Sequence, residues 1–263
     1  MESNTDPRSA LSDIVSALGG LLAFEKDEGA SHIDIAPRTV QALGDGPGAA
    51  TPTPARTIPM QRKEPDASDS HTDVRHALDA IAKRIADCRQ CPLCEGRTKT
   101  VPGQGAWRPQ IAFVGEGPGA DEDRQGLAFV GRAGQLLTKI IEAMGLTRDD
   151  VWIGNIVKCR PPGNRVPYPD EMEACMPYLK EQLAILRPSV IVCLGATAVK
   201  GLLDTGEGIT KIRGRWMTFE GIDVMPTFHP AYLLRNAAGK KDVWRDMKEV
   251  LRFLGREPPP KTP

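Results

Sequence analysis

The chain has 263 residues with 34 basic and 34 acidic side chains, but neither charge nor aromatic content is spread evenly. Residues 1–73 hold 12 acidic and 6 basic side chains and one of the 13 aromatics, Phe24, so this stretch is acidic, the rest is basic, and a packed core is expected only beyond residue 73. There is no run of 18 apolar residues and no basic start with a cleavage pattern, which argues against a membrane or secreted protein and for the cytoplasm, while the basic body favours a polyanionic partner.

In chain order, Leu11, Ile14, Val15, Leu18, Leu21 and Leu22 give residues 8–24 the apolar stripe of a short helix with no apolar neighbour in sequence, a candidate for docking a protein partner. From Gly29 to Asp69 the chain is rich in Ala, Pro, Gly and Asp without a sustained period, the composition of a disordered linker. Order is expected to resume at Thr72, an N-cap candidate, with Val74, Leu78, Ile81 and Ile85 at helical spacing. Strands are expected at Ile111–Val114, Val151–Val157 and Ser189–Leu194, and helices at Leu136–Met144, Met172–Leu186 and Ala196–Leu203. Trp216–Phe219 and Ile222–Thr227 flank Glu220-Gly221 as a hairpin, and Val243–Leu254 closes the fold as a helix. Short β-branched runs alternating with helical periods imply an α/β sheet with parallel strands, whose ligands sit beyond the carboxyl ends of the strands. The expected organisation is an extension over 1–70, a folded domain over 71–257 and a Pro-rich tail over 258–263.

The six cysteines, in a reducing compartment, are read as thiols or metal ligands. Cys88 and Cys91 form a Cys-x2-Cys half-site, and Cys159 with Cys175 are the best candidates for the other half. With no second Cys-x2-Cys pair, a zinc ribbon fits less well than an iron–sulfur cluster, zinc remaining the alternative. Cys94 continues the x2 spacing of a ferredoxin run, but Thr98 stands where the next cysteine would fall. Cys193 lies in the apolar run Val190-Ile191-Val192-Cys193-Leu194 and reads as a core residue.

The strand ends carry the remaining chemistry. Gly115-Glu116-Gly117-Pro118-Gly119 lets a ligand approach the backbone, yet has neither the Lys-Ser/Thr of a phosphate loop nor the spacing of a dinucleotide fingerprint. Phe129 lies in a glycine-rich loop and is a candidate stacking platform for a planar ligand. Asn155 is an amide within a strand, able to read the edge of a pyrimidine. His229 precedes Pro230 at a strand end, where it can face a pocket.

Together, Cys88-Arg89-Gln90-Cys91-Pro92-Leu93, Gly115-Glu116-Gly117-Pro118-Gly119, Phe129-Val130-Gly131-Arg132-Ala133-Gly134, the run from Asn155 to Arg165 and His229-Pro230-Ala231-Tyr232-Leu233-Leu234-Arg235 resemble the family 4 uracil-DNA glycosylases, the iron–sulfur branch of the uracil-DNA glycosylase superfamily. The resemblance spans about Cys88 to Leu254. It implies a three-layer α/β/α fold around a central four-stranded, mainly parallel sheet, a [4Fe–4S] cluster on Cys88, Cys91, Cys159 and Cys175, and excision of uracil from single- or double-stranded DNA by a monomer associated with the nucleoid. It further implies that His229 stabilises the departing uracil anion and that Glu116 lies near the sugar and the attacking water, with Glu122 a second candidate there. Gly117, Phe129 and Asn155 would hold the base. Lys158, Arg160 and Arg165 would meet phosphates, and Leu233, Leu234 and Arg235 would occupy the loop that fills the vacated stack. Ala128 departs from the proline common before the phenylalanine. The stretch between Glu122 and Phe129 lacks the basic, histidine-bearing insertion of a branch that traps uracil-DNA covalently, which favours turnover over a binding-only protein. An iron–sulfur electron carrier, the other alternative, would have no use for Asn155 and His229 together.

Overall fold

The computed structural model describes residues 71–203 and 205–260; the expected extension, its helix at 8–24 and the last residues of the tail lie outside them. In chain order the elements are α1 (His71–Asp87), α2 (Leu93–Gly96), β1 (Gln104–Gly105), β2 (Ile111–Gly115), α3 (Ala120–Gln125), α4 (Arg132–Ala143), β3 (Trp152–Asn155), α5 (Pro169–Leu186), β4 (Val190–Leu194), α6 (Ala196–Leu203), α7 (Ile209–Ile212), β5 (Met217–Phe219), β6 (Ile222–Thr227), α8 (Pro230–Arg235) and α9 (Lys240–Phe253). No helix among the described residues is long and apolar enough to cross a membrane.

The sheet order is β1-β3-β2-β4-β6-β5. Its centre is four parallel strands, β3-β2-β4-β6, as expected, and antiparallel edge strands β1 and β5 widen it to six. Both faces are covered, which explains the unbroken apolar runs. In β2, Ile111 and Phe113 point into a core with Leu137 and Ile141 of α4 and Met247 and Val250 of α9. Ala112 and Val114 point the other way, into a core with Leu179 and Leu183 of α5 and Val199 and Leu202 of α6. These two cores make the three layers.

Local rules set the boundaries. Glu220 and Gly221 both adopt positive φ, 47° and 84°, the type I′ geometry that matches the twist of β5 and β6. α5 starts at Pro169, three residues before the expected Met172, because proline suits a first turn and Glu171 accepts the Tyr168 N–H at 2.7 Å. Pro177 lies inside α5 without ending it.

Candidate active site

Three parallel strands deliver the central residues. Glu116 follows β2, Asn155 ends β3 and His229 comes two residues after β6. Gly115 and Asn155 are register partners, which sets the first two side by side. A Cβ at Gly115 would stand 2.5 Å from the Phe129 ring and 2.6 Å from Asn155 Oδ1, so only glycine lets ring and amide meet over this strand end. The Phe129 ring centroid is 5.7 Å from that of His229. Gly117 is half-buried beside Val157. The structure thus gathers Asn155, Phe129 and His229 at the carboxyl ends of the strands, with Glu116 half-buried in the adjoining turn.

Asn155 is 1% exposed, and its Oδ1 has no hydrogen-bond partner among the described residues. A buried acceptor left unmet costs about 1–3 kcal/mol, so this oxygen is suited to a donor that arrives with a ligand. His229 caps α8: its Nδ1 accepts the Ala231 N–H at 3.1 Å, which leaves the proton of the neutral ring on Nε2. Burial, with a further push from the Arg235 charge, lowers the imidazole pKa to about 4, so the ring is neutral at physiological pH.

Glu122 is engaged otherwise than the sequence suggested. Its Oε1 accepts the N–H groups of Val130 and Gly131, each at 2.8 Å, so the carboxylate shapes the Phe129 loop.

Cys88, Cys91, Cys159 and Cys175 line one cavity together with Cys94, Arg97 and Lys158. Arg97 donates to Cys159 Sγ at 3.2 Å and to the Cys88 carbonyl at 2.9 Å, and the Lys158 N–H donates to Cys175 Sγ at 3.3 Å. Burial raises the Cys91 and Cys159 thiols and pushes Cys175 up to about 11. Among the described residues no three His, Cys, Asp or Glu side chains are close enough to share a single metal ion. A cluster needs no such closeness, because each thiolate binds a different iron, and N–H···S bonds from backbone and guanidinium suit its anionic sulfurs. Four thiols lining one cavity are a donor set that fits a cluster. Cys193 is buried in β4, as read from its apolar run.

Two residues assigned to DNA need correction. Lys158 is 1% exposed, its Nζ donating to the Asn155 carbonyl at 2.8 Å, so it cannot meet a phosphate at the surface; burial lowers its pKa to about 8. Leu233 is 1% exposed and packs in the core with Phe228 and Val243, because one helical step turns it inward and leaves Leu234, at 49%, outward. Arg165 is paired through both terminal nitrogens with Glu171, at 2.8 and 2.6 Å, and lies 3.8 Å over the Tyr168 ring. Arg160 donates to Asn164 Oδ1 at 2.7 Å, and Arg235 is exposed.

Supporting residues also came to light that no motif announced. Thr227 donates to Asp246 of α9 at 2.6 Å, and Asp246 is ion-paired with Arg213, anchoring the strand end from which His229 projects. Arg97 beside the cysteines, like Arg148 beside the Phe129 loop, sits in a polar stretch whose partners are distant in sequence.

The sequence that builds this site matches a family model. The Uracil DNA glycosylase superfamily model covers residues 102–248, and the chain belongs to that superfamily. Within it, the chain is 45% identical over 186 residues to the Type-4 uracil-DNA glycosylase of Thermotoga maritima, covering 68% of this chain and 96% of that protein. The Type-4 uracil-DNA glycosylase of Sulfurisphaera tokodaii is 45% identical over 183 residues (66% and 83% of the two chains), and that of Archaeoglobus fulgidus 40% over 191 (70% and 96%).

Proposed function

We propose that this protein is a uracil-DNA glycosylase of DNA repair, a hydrolase that turns uracil out of the stack and cleaves its N-glycosidic bond, leaving free uracil and an abasic site. The observation that carries this reading is the buried, unpartnered Asn155 Oδ1 beside the Phe129 ring. Uracil offers N3–H to that oxygen and O4 to the amide nitrogen. Cytosine presents a lone pair at N3 and an amino group at C4, which leaves the amide mismatched on both sides.

Extruding the nucleotide costs a few kcal/mol, least at a U·G mismatch, and stacking on Phe129 offsets part of it. As the bond between C1′ and N1 breaks, its electron pair moves onto the base. His229, neutral and protonated at Nε2, donates to O2 as that charge builds, an interaction stronger in the transition state than in the ground state. A water oxygen bonds to C1′ and releases a proton to solvent, and the uracil anion takes one up from solvent as it leaves, so the products are free uracil and the C1′ hydroxyl of the abasic site. Glu116 is the carboxylate assigned to this side, orienting the water or facing the cationic sugar.

Cys88, Cys91, Cys159 and Cys175 would hold a [4Fe–4S] cluster, which would supply a four-thiolate cross-link rather than a reactive centre. Arg160, Leu234 and Arg235 would face DNA. The protein would act as a monomer on nucleoid DNA in the cytoplasm.

The test is direct. Purified protein is incubated with an oligonucleotide carrying one uracil, then treated with alkali. Strand breakage at the uracil, and none in the matching cytosine or thymine oligonucleotides, is the expected result; uracil-DNA bound tightly but left alkali-stable would overturn turnover.

A further inference from the structure

Phe129 has φ +53°, in the left-handed region that a side chain disfavours. Its backbone is held there from three directions. Arg148, in the turn between α4 and β3, donates Nη2 to the Ala128 carbonyl at 2.7 Å and Nη1 to the Phe129 carbonyl at 3.1 Å. Glu122 takes the two following N–H groups, and Gln104 Oε1 accepts the Ala128 N–H at 3.1 Å. Helix α4 closes the remaining side: a Cβ at Gly134 would stand 2.0 Å from the Phe129 carbonyl.

We infer that Arg148 is a positioning residue for base binding, acting through Phe129 as the cationic half of a clamp whose anionic half is Glu122. The inference rests on the glycosylase reading for what Phe129 does. The two carbonyls that Arg148 holds flank the Phe129 Cα, so they fix the one backbone torsion pair that aims the ring over Gly115. Arg148 is half-buried, and its guanidinium also donates to Thr138 Oγ1 of α4 at 3.2 Å. The turn that carries it is braced separately, by Thr147 donating its N–H and hydroxyl to Asp150, each at 2.7 Å. Without the guanidinium, the Ala128 and Phe129 carbonyls lose the donor they accept from, the loop relaxes toward ordinary φ, and the ring leaves the base site. Since stacking acts on the extruded base before and during cleavage, the loss falls on binding more than on the chemical step.

The test is a double-mutant cycle read under single turnover, with folding and iron content checked for each variant. Arg148→Ala should weaken the half-saturating enzyme concentration for uracil-DNA by about tenfold, within the range for losing one base–aromatic stack, and change the cleavage rate at saturation much less. In a Phe129→Ala background the same substitution should cost almost nothing further. Arg148→Lys, which can reach one carbonyl, should recover part of the loss. Hydrogen exchange at Val130 and Gly131 should quicken in Arg148→Ala. If Arg148→Ala does not fold, Arg148→Lys and Arg148→Gln carry the same cycle. Equal losses with and without Phe129, or unchanged affinity and exchange, would overturn the clamp. A parent protein that excises no uracil would overturn the glycosylase reading instead, and the exchange readout separates the two failures.

Discussion

His229 illustrates how little of a residue's chemistry lies in its identity. A histidine in water titrates near pH 6.5, yet here burial and the Arg235 charge hold it near 4. Between these values the unfolded chain binds a proton that the folded one does not, so folding stability falls as pH drops from about 6.5 toward 4 and is regained as pH rises. His229→Gln should flatten that part of the stability profile, measured as urea midpoints at pH 4.5 and 7.5 against the parent. The cleavage rate should show no inflection near 6.5, and His229→Ala should slow single-turnover cleavage by roughly 100-fold or more with DNA affinity largely retained. An inflection near 6.5, or equal loss of binding and cleavage, would remove the neutral imidazole from the mechanism. That Asn155 and His229 come to one end of the sheet was legible because Asn155 is an amide in an apolar strand and His229 stands before a proline at a strand end. Lys158 was misread because a charge next to a cysteine reads as surface, whereas the Asn155 carbonyl accepts its ammonium in the interior.

Elements became legible where local rules and burial agree. β2 shows as an apolar run because both its faces are covered, and the β5–β6 hairpin shows through Glu220-Gly221. β1 could not be read: Gln104 and Gly105 become a strand only by pairing with Ile153 and Trp152, nearly fifty residues on. Nor could the service of α9 to the site, since Asp246 looks in sequence like one more charge on an amphipathic helix. It is 1% exposed, holding Thr227 and Arg213, so removing it strips the Arg213 guanidinium of its nearer carboxylate and leaves only that of Asp242, at 3.7 Å. Asp246→Ala should cost about 3–5 kcal/mol of stability, read by urea unfolding, whereas a cost below about 1 kcal/mol would mean that the ion pair is incidental. Helix α2 carries Cys94 to the cavity of the four assigned ligands. Cys94→Ala should nevertheless keep the yellow-brown colour and about four irons per chain, whereas Cys175→Ala should lose both. Colourless Cys94→Ala protein would redraw the ligand set.

At the scale of the whole chain, charge is divided: residues 1–73 carry 12 acidic and 6 basic side chains within a sequence of zero net charge. An acidic segment tethered to a basic domain competes with DNA, and salt screens that competition. A chain starting at Ser70 should therefore fold, excise uracil and bind DNA more tightly at 50 mM than at 300 mM salt relative to the full chain. An unchanged affinity ratio across that range would deny the acidic stretch any such role. The sheet order β1-β3-β2-β4-β6-β5 carries a consequence for a chain emerging from the ribosome. Asn155 and Phe129 leave the exit tunnel long before His229, and the strand end that aims the imidazole is braced by Asp246, which emerges later still. A nascent or prematurely terminated chain that stops before β6 lacks the imidazole assigned to releasing the base and the core contacts of α9, so on this reading half-made copies do not scatter abasic sites along the chromosome.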